Sequence, residues 1–495
     1  MRRSGILLHI SSLPGPYGIG TFGPHARQFV DRLKAAGQTW WQILPLGPTS
    51  YGDSPYQTFS AFALNPYFID PDILAEEGLL THDDLREARH TGHRVDYGWL
   101  HENRLKTLEK AFGRFDSDDQ AFRAFLHDMG VWLDDYALFM AIKEDMGGVS
   151  WAEWDDALRM RDKDTLDDAL TRLEKRVMFH RFLQYKAYTQ WMDLKTYANQ
   201  QGVKIIGDMP IYVSFDSSDV WAEPHLFDLD DDRRPRHIAG VPPDSYSDDG
   251  QLWGNPLYDW DVMKDNGFKW WTRRVESSMV LFDRIRIDHF IGFQNFFSVT
   301  YGEKTAQNGI WKQGPGIALF DAIKESLGDV DIIAEDLGVV TAEVRALLQK
   351  TGFPGMKLLQ FAFDARESSD YLPHRYTKNT VVYTGTHDNM TTRTWLENLK
   401  DDDLVYCLDY INHGGRRDPV DSMIKATLLS ISDTAVIPMQ DYLHLGSEGR
   451  MNTPSTLGNN WTWRMRPSDF NKKLIRKIAR FTSVYGRTPE DSSDA

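Results

Sequence analysis

The length, composition and charge of this chain exclude several classes of protein. It has 495 residues, a formal net charge of −16 and 41% hydrophobic residues, which is the composition of a globular protein. Nucleic-acid and anionic-membrane partners require clustered basic charge, so the acidic balance argues against both. No apolar run approaches the roughly 20 residues that cross a bilayer.

Eight short apolar runs along the chain have the character of β-strands. They lie at residues 5–10, 39–45, 203–207, 284–288, 331–335, 355–361, 380–385 and 435–439. The first is too brief for the apolar core of a secretory signal, so we expect a strand there. Segments with helical spacing, such as 25–36 and 341–351, separate most of the runs. Strands that alternate with helices pair in parallel, and eight of them predict an α/β fold, a (β/α)8 TIM barrel over residues 1–495.

Two stretches between these strands are too long for simple crossovers. Residues 46–202 predict an inserted, mainly helical subdomain, because a crossover is normally far shorter. Helical spacing recurs within it at 103–112, 119–128 and 164–201. Residues 210–261 are rich in Pro, Gly, Asp and Trp and predict a loop-rich insertion that forms part of the active-site cover. About 55 residues follow the eighth strand, too few for a C-terminal β-sandwich domain.

Three acidic residues stand at the ends of strand-like runs. They occur in Arg284-Ile-Arg-Ile-Asp288, Asp331-Ile-Ile-Ala-Glu335 and Thr384-Gly-Thr-His387-Asp388. A carboxylate at the end of a buried parallel strand is costly unless something polar uses it, and barrel active sites lie at these ends. Strand alternation places Arg286 on the inner face with Asp288, where its charge favours the ionised carboxylate. A structural ion pair is the alternative for one strand alone, but three acids favour an active site.

The residue types narrow the chemistry further. The chain has neither the phosphate-binding Gly-x-x-x-x-Gly-Lys-Ser/Thr motif nor the zinc motif His-Glu-x-x-His. The pattern Gly18-Ile-Gly20-Thr-Phe-Gly23 matches a dinucleotide fingerprint, but it follows a Pro-Gly-Pro-Tyr loop rather than a strand. The single cysteine, Cys407, excludes an internal disulfide, suits the cytoplasm, and is expected to be a buried apolar side chain. Glycosidic-bond chemistry needs paired carboxyl groups and acts on a neutral substrate, so it fits best.

Further motifs carry a resemblance to a known family. They are Ser11-Ser-Leu-Pro-Gly15, Gly52-Asp-Ser-Pro-Tyr-Gln57, Gly207-Asp-Met-Pro-Ile-Tyr212, Gly240-Val-Pro-Pro-Asp244, Gly250-Gln-Leu-Trp-Gly-Asn-Pro256 and Arg450-Met-Asn-Thr-Pro454. With the three acidic segments, and in this order, they resemble the amylomaltases or disproportionating enzymes over nearly the whole chain. This family of 4-α-glucanotransferases is glycoside hydrolase family 77 of the α-amylase superfamily.

The resemblance implies roles for the acidic residues and their neighbours. Asp288 is implied as the nucleophile, Glu335 as the general acid/base and Asp388 as the transition-state stabiliser. Arg286 and His387 are implied as supporting residues that bind the substrate. No metal or cofactor is required by this mechanism.

Other residues are candidates for contact with the sugar. Asp208 resembles an aspartate expected to touch the sugar at the cleavage site, and its alternative interpretation is a cap or turn residue. Tyr56 and Trp253 lie in Gly/Pro-rich loops where an aromatic ring is suited to pack on a pyranose face. Asn255 is a candidate partner for a hydroxyl group, and simple anchoring of the loop is the alternative for all three. Asp336 is interpreted as a cap or supporting residue.

The resemblance implies transfer of α-1,4-glucan segments from a malto-oligosaccharide donor to the 4-OH of an acceptor glucan or glucose. The expected partners are therefore α-1,4-glucans and malto-oligosaccharides. A loop at 240–256 is a candidate lid that excludes water and so favours transfer. The alternatives are a retaining α-glucan hydrolase, a branching enzyme that makes α-1,6 bonds, and a non-catalytic glucan-binding protein, against which the three acids argue.

Overall fold

The structure is a computed structural model that describes residues 2–50, 52–243, 248–338, 340–415 and 418–489. Twelve strands occur in the described ranges: β1 Arg3–Leu7, β2 Trp40–Gln42, β3 Lys204–Met209, β4 His237–Val241, β5 Gln251–Pro256, β6 Arg284–Ile287, β7 Asn295–Thr300, β8 Ile310–Gln313, β9 Ile332–Ala334, β10 Gly355–Leu358, β11 Thr380–Tyr383 and β12 Thr434–Pro438. Eight of them form a closed barrel in the order β1-β12-β11-β10-β9-β6-β3-β2. All pairs in the barrel are parallel. The predicted TIM barrel and its eight strands are confirmed.

Eighteen α-helices accompany the strands in the described residues. They are α1 Pro24–Ala35, α2 Pro71–Glu76, α3 His82–Ala88, α4 Tyr97–Phe112, α5 Gln120–Asp145, α6 Asp156–Arg159, α7 Lys163–Arg172, α8 Glu174–Gln200, α9 Ser218–Ala222, α10 Trp260–Asp265, α11 Lys269–Leu281, α12 Ile317–Leu327, α13 Ala342–Thr351, α14 Thr392–Asn398, α15 Asp401–Tyr410, α16 Pro419–Leu429, α17 Met439–Tyr442 and α18 Lys472–Val484. Within the described residues, none is long and apolar enough to cross a membrane.

Strand β6 shows how alternation orients the barrel side chains. Ile285 and Ile287 are buried toward the outer layer, as the apolar positions of the run predict. Arg284 reaches Thr434 of β12 across the barrel, with Nη1 3.4 Å from Oγ1. Arg286 contacts the Met356 sulfur of β10, with Nε 3.4 Å from Sδ. Because β6 borders neither β10 nor β12, both arginines lie on the inner face, as predicted.

Residues 46–202 form seven helices, α2 to α8, between β2 and β3. The helical spacing at 164–201 is not one helix, because α7 and α8 are separated at Leu173, whose φ is −103° and ψ 12°. Trp191 of α8 packs against Phe22 and Phe282, with ring centroids 5.2 and 6.0 Å away. This insertion therefore shares the hydrophobic core of the barrel, and its division as a subdomain of its own stays a prediction.

Residues 210–261 contain more regular structure than the sequence indicates. Strands β4 and β5 join β7 and β8 in an antiparallel sheet ordered β5-β4-β7-β8. The described part of this insertion still lies mostly outside strands and helices, and its place in the active-site cover stays a prediction. The strands were missed because they are short, and because β7, the second partner of β4, follows β6 in the chain. Residues 244–247 of the predicted lid lie outside the described residues.

The glycines of the dinucleotide-like pattern have a packing explanation. A Cβ at Gly20 would lie 1.8 Å from the carbonyl oxygen of Ile10. A Cβ at Gly23 would lie 2.0 Å from Oδ2 of Asp70. Side chains are excluded at both positions by close contacts within the protein, so the pattern needs no nucleotide.

Candidate active site

The C-terminal ends of the barrel strands bring the predicted acidic residues to one side of the barrel. Asp208 lies in β3, Asp288 directly follows β6, and Glu335 directly follows β9. His387 and Asp388 lie in the loop after β11. Because parallel strands all end at the same rim, this placement follows from the topology.

Arg286 links two of these carboxylates from the inner face of β6. Its Nη1 donates to both oxygens of Asp208, at 2.8 and 2.9 Å. Its Nη2 lies 2.9 Å from Oδ1 of Asp288. Burial would lower the pKa of Arg286, but the two carboxylates outweigh it and raise the pKa well above the usual value. The guanidinium is thus a fixed cation, and Asp288, with a side chain 29% exposed, faces the cleft beside it.

Glu335 lies in a drier environment than Asp288. Its Oε2 accepts a hydrogen bond from the backbone N–H of His289 at 2.7 Å, and its Oε1 accepts one from Leu337 N–H at 2.8 Å. Burial raises the pKa of Glu335 to about 8, and the charge of Asp288 adds to the rise, whereas Arg286 and the two backbone donors oppose it. At neutral pH the carboxyl group therefore carries a proton that it can donate.

His289 is a site residue that the sequence analysis missed. Its backbone is in the left-handed region, with φ 52° and ψ 46°, an uncommon conformation for a residue with a side chain. This turn aims its N–H at Glu335. Its ring lies edge-on to Trp253, with centroids 4.9 Å apart, and burial lowers its pKa to about 4, so the ring is neutral. The one available signal was its position directly after Asp288.

Asp388 is paired with His387 on one side and with an amide on the other. Oδ2 of Asp388 lies 3.3 Å from Nε2 of His387, and Oδ1 accepts a hydrogen bond from Nδ2 of Asn452 at 2.6 Å. Burial would raise the pKa of Asp388, but His387, Asn452 and Arg286 outweigh it and lower the pKa to about 2. Burial would likewise lower the pKa of His387, but Asp388 raises it. Asp388 is therefore an anion at neutral pH.

Tyr56 covers the inner part of this cluster. Its hydroxyl donates to Oδ2 of Asp208 at 2.8 Å, and its ring stacks on His387 with centroids 5.2 Å apart and planes 15° apart. The Asp208 side chain is completely buried beneath Tyr56 and Arg286. The direct contact of Asp208 with sugar that the resemblance implies stays a prediction.

Asn255 and Trp253 lie on β5 and differ in what they present to the cleft. The Asn255 side chain is buried, accepts from Gln57 Nε2 at 2.9 Å and donates to the Val213 carbonyl at 2.8 Å. Each end of its amide thus has a partner within the protein, which supports loop anchoring, and the expected hydroxyl contact stays a prediction. Trp253 is half-buried beside His289 and keeps part of its ring open.

Asp336 has a structural partner. Its Oδ1 accepts a hydrogen bond from the backbone N–H of Met356 at 2.7 Å, which agrees with its interpretation as a supporting residue. Within the described residues, no group of three or more His, Cys, Asp or Glu side chains is arranged to hold a metal ion. Cys407 is buried, and burial raises the pKa of its thiol to about 12, as expected for an apolar core residue.

Comparisons with known proteins relate the whole chain to one family. A family model described as 4-alpha-glucanotransferase, glycoside hydrolase family 77, matches residues 8–470. A 4-alpha-glucanotransferase of Clostridium butyricum is 49% identical over 485 residues, covering 97% of this chain and 100% of that protein. The chain belongs to the 4-alpha-glucanotransferase family.

Two other members of this family are also similar to this chain over their full length. A 4-alpha-glucanotransferase of Streptococcus pneumoniae is 47% identical over 499 residues, covering 100% of this chain and 99% of that protein. The solved structure of amylomaltase from Streptococcus agalactiae in complex with acarbose is 44% identical, has a TM-score of 0.97, and covers 99% of this chain and 100% of its own. This chain is thus a 4-alpha-glucanotransferase of the amylomaltase type, and the hydrolase alternative is not favoured.

Proposed function

We propose that this 4-alpha-glucanotransferase works by retaining double displacement, with Asp288 as nucleophile and Glu335 as general acid and base. The Asp288 carboxylate attacks the anomeric carbon of the donor while Glu335 gives its proton to the leaving glycosidic oxygen. A covalent glycosyl-enzyme results. The acceptor 4-OH then attacks the same carbon, its proton passes to Glu335, and Asp288 leaves as a carboxylate.

The contrast between the two carboxyl environments is the observation that carries this assignment. Arg286 lies 2.9 Å from Asp288 and favours a charged nucleophile. Burial raises the pKa of Glu335 to about 8 and favours a protonated acid. A carboxyl group beside a guanidinium and a second one in a dry pocket are suited to divide the roles of nucleophile and acid.

Asp388 and His387 take the role of transition-state binding in this proposal. Positive charge develops on the sugar ring as the oxocarbenium-like transition state forms, and the Asp388 anion is placed to stabilise it. His387, whose pKa Asp388 raises against burial, is a donor for a sugar hydroxyl. Arg286 contributes to substrate binding indirectly, because it holds the Asp208 and Asp288 carboxylates in place.

The substrates of this site are proposed to be α-1,4-glucans and malto-oligosaccharides. The Streptococcus agalactiae amylomaltase was solved in complex with acarbose, and we infer that the equivalent cleft of this chain takes a similar ligand. Tyr56 and Trp253 supply aromatic surfaces on two sides of the acidic cluster, where a pyranose face packs favourably. Asp208 supports both walls of this pocket through Tyr56 and Arg286. The single cysteine supports a cytoplasmic location.

The test is incubation of the purified protein with maltotriose, with separation of products by size and assay of free glucose and total reducing ends. Transfer produces glucose and a ladder of longer oligosaccharides while total reducing ends stay constant. Rising reducing ends with only short products would contradict transfer, and new α-1,6 bonds would indicate a branching enzyme. The Asp288→Asn variant, incubated in parallel, shows whether the products come from this site.

A further inference from the structure

The loop that follows β12 reaches over the strand-end loop that carries His387 and Asp388. The motif Arg450-Met-Asn-Thr lies in this loop, and we refer to residues 450–453 as the 450–453 loop. Its polar atoms meet both the backbone and the side chain of the His387–Asp388 pair. The motif has no role in the two chemical steps described above.

Asn452 makes two contacts with this pair. Its side-chain Nδ2 donates to Oδ1 of Asp388 at 2.6 Å. Its backbone N–H donates to the carbonyl of His387 at 3.1 Å. The amide therefore occupies one oxygen of the carboxylate, while His387 lies beside the other at 3.3 Å.

Arg450 secures the same contact from the backbone side. Its Nη2 donates to the carbonyl of Asp388 at 3.2 Å, and its Nε donates to the carbonyl of Asn452 at 2.9 Å. One guanidinium thus joins the two residues whose side chains meet. Three hydrogen bonds across the two loops and one within the 450–453 loop fix the distance between Asn452 and Asp388.

Asp388 needs such support because it stands on a loop and is only partly buried. Its side chain is 43% exposed, so packing alone does not select one rotamer. An electrostatic stabiliser acts only if it is held where charge develops in the transition state, and a displacement of about 1 Å can cost a hundredfold in rate.

We infer that Asn452 is a positioning residue that holds the Asp388 carboxylate toward the reacting sugar, with Arg450 locking the two loops together. This inference rests on the role of Asp388 in the proposed function. The Arg450-Met-Asn-Thr-Pro454 motif would then support the same reaction from the loop after β12, which lies opposite β6 and Asp288 in the barrel.

The test compares three variants of the full-length enzyme. Asn452→Ala removes the donor, and Asn452→Asp keeps the shape but replaces the donor with a like charge. Asn460→Ala is the matched control, because Asn460 accepts from the backbone N–H of Thr453 at 3.0 Å and so supports the 450–453 loop without touching Asp388. Each variant is assayed with maltotriose for kcat and KM, and its Tm is measured.

The expected result is a fall in kcat of about 10- to 100-fold for Asn452→Ala, a larger fall for Asn452→Asp, and little change in KM for either. Asn460→Ala keeps a kcat near that of the wild type. An unchanged kcat in Asn452→Asp overturns the inference. An equal fall in kcat in Asn460→Ala also overturns it, because the order of the loop alone would then explain the effect. An Asn452 variant that changes only KM overturns it as well, because Asn452 would then be a direct sugar contact.

A double-mutant cycle separates this inference from the proposed function. If Asn452 acts through Asp388, adding Asn452→Ala to Asp388→Asn costs little further activity. Full additivity of the two losses contradicts the positioning role. If Asp388→Asn by itself retains wild-type kcat, the assignment of Asp388 fails first, which is a different outcome from wild-type kcat in Asn452→Asp alone.

Discussion

At the scale of single residues, the roles proposed for Asp288 and Glu335 rest on their neighbours rather than on their own chemistry. Asp288 has a guanidinium nitrogen 2.9 Å away, and Glu335 has two backbone N–H donors in a buried pocket. A charged partner favours the anion, and removal of water favours the acid.

Neutralising either acid is expected to abolish activity and preserve the fold. Asp288→Asn and Glu335→Gln each change side-chain volume little but remove the nucleophile or the proton donor, so kcat with maltotriose falls by about 1,000-fold or more. Asp331→Asn is the matched control, because Asp331 lies at the other end of β9 and pairs with Arg284. Circular dichroism and Tm check folding, and wild-type turnover by Asp288→Asn or Glu335→Gln would refute the assignment.

The pH profile of kcat/KM is expected to have a basic limb set by Glu335. Burial raises the pKa of Glu335 to about 8, so the proton needed by the leaving group is lost above that pH and kcat/KM falls about tenfold per pH unit. The same limb should persist in Asp331→Asn. A flat profile up to pH 9.5 contradicts the role of Glu335 as the acid.

Stability has a linked dependence on pH. Because the folded pKa of Glu335 lies above the unfolded value of about 4.3, the folded state binds this proton more tightly, and the resulting stability is present below pH about 4.3 and lost as pH rises through about 8. Glu335→Gln cannot titrate. Its Tm relative to the wild type should therefore rise between pH 5 and pH 8, and an unchanged difference would argue against a raised pKa.

At the scale of elements, the antiparallel sheet β5-β4-β7-β8 brings an aromatic side chain to a barrel active site. Trp253 on β5 reaches His289, and Gln57 ties β5 to the loop that carries Tyr56 through the Trp253 carbonyl and the Asn255 amide. These contacts couple the two sides of the cleft. A β-sheet holds the Trp253 ring more rigidly at the edge of the cleft than a loop would.

Shortening the candidate lid at residues 240–256 is expected to raise hydrolysis relative to transfer. We propose that this lid excludes water from the glycosyl-enzyme, so a shorter lid lets water compete with the acceptor hydroxyl. The ratio is measured from total reducing ends against free glucose in maltotriose reactions. An unchanged ratio in a folded, active variant would exclude this part of the chain as a lid.

At the scale of the whole molecule, the first and last strands close the barrel. β1 pairs with β12 over five residues, from Arg3 with Thr434 to Leu7 with Pro438. Arg487, beyond α18, is fully buried and donates to the carbonyls of Arg3, Leu428 and Ser430 at 2.7 to 3.0 Å. The two ends of the chain are therefore held at one seam.

Removing this anchor is expected to destabilise the entire fold. Arg487→Ala removes a buried donor from the carbonyls of Arg3, Leu428 and Ser430, of which Leu428 keeps Nη2 of Arg2 as a second donor, and should lower the free energy of unfolding by about 3 kcal/mol. Arg487→Lys should also destabilise, because an ammonium lacks the planar fork that serves three carbonyls. Arg480→Ala on the exposed face of α18 is the control. Denaturant unfolding measures the difference, and equal stabilities of the Arg487 and Arg480 variants would contradict the role of the seam.

The amino-acid sequence by itself determined the barrel, its eight strands and the rim on which Asp288, Glu335 and Asp388 stand. Apolar period and strand-helix alternation are local properties, and parallel pairing then places every strand end on the same side. The antiparallel sheet was missed because its strands are short and because β4 pairs with β7 across β6.

Only the tertiary structure decided the partners of the site residues. Tyr56 contacts Asp208 across 152 residues, Asn452 contacts Asp388 across 64, and the Asn255 amide is occupied by Gln57 and Val213. Such contacts leave no periodic signal, because they depend on where separate loops meet after the barrel closes. The same closure buries Glu335 and thereby sets its protonation state, which its position at the end of a strand does not reveal.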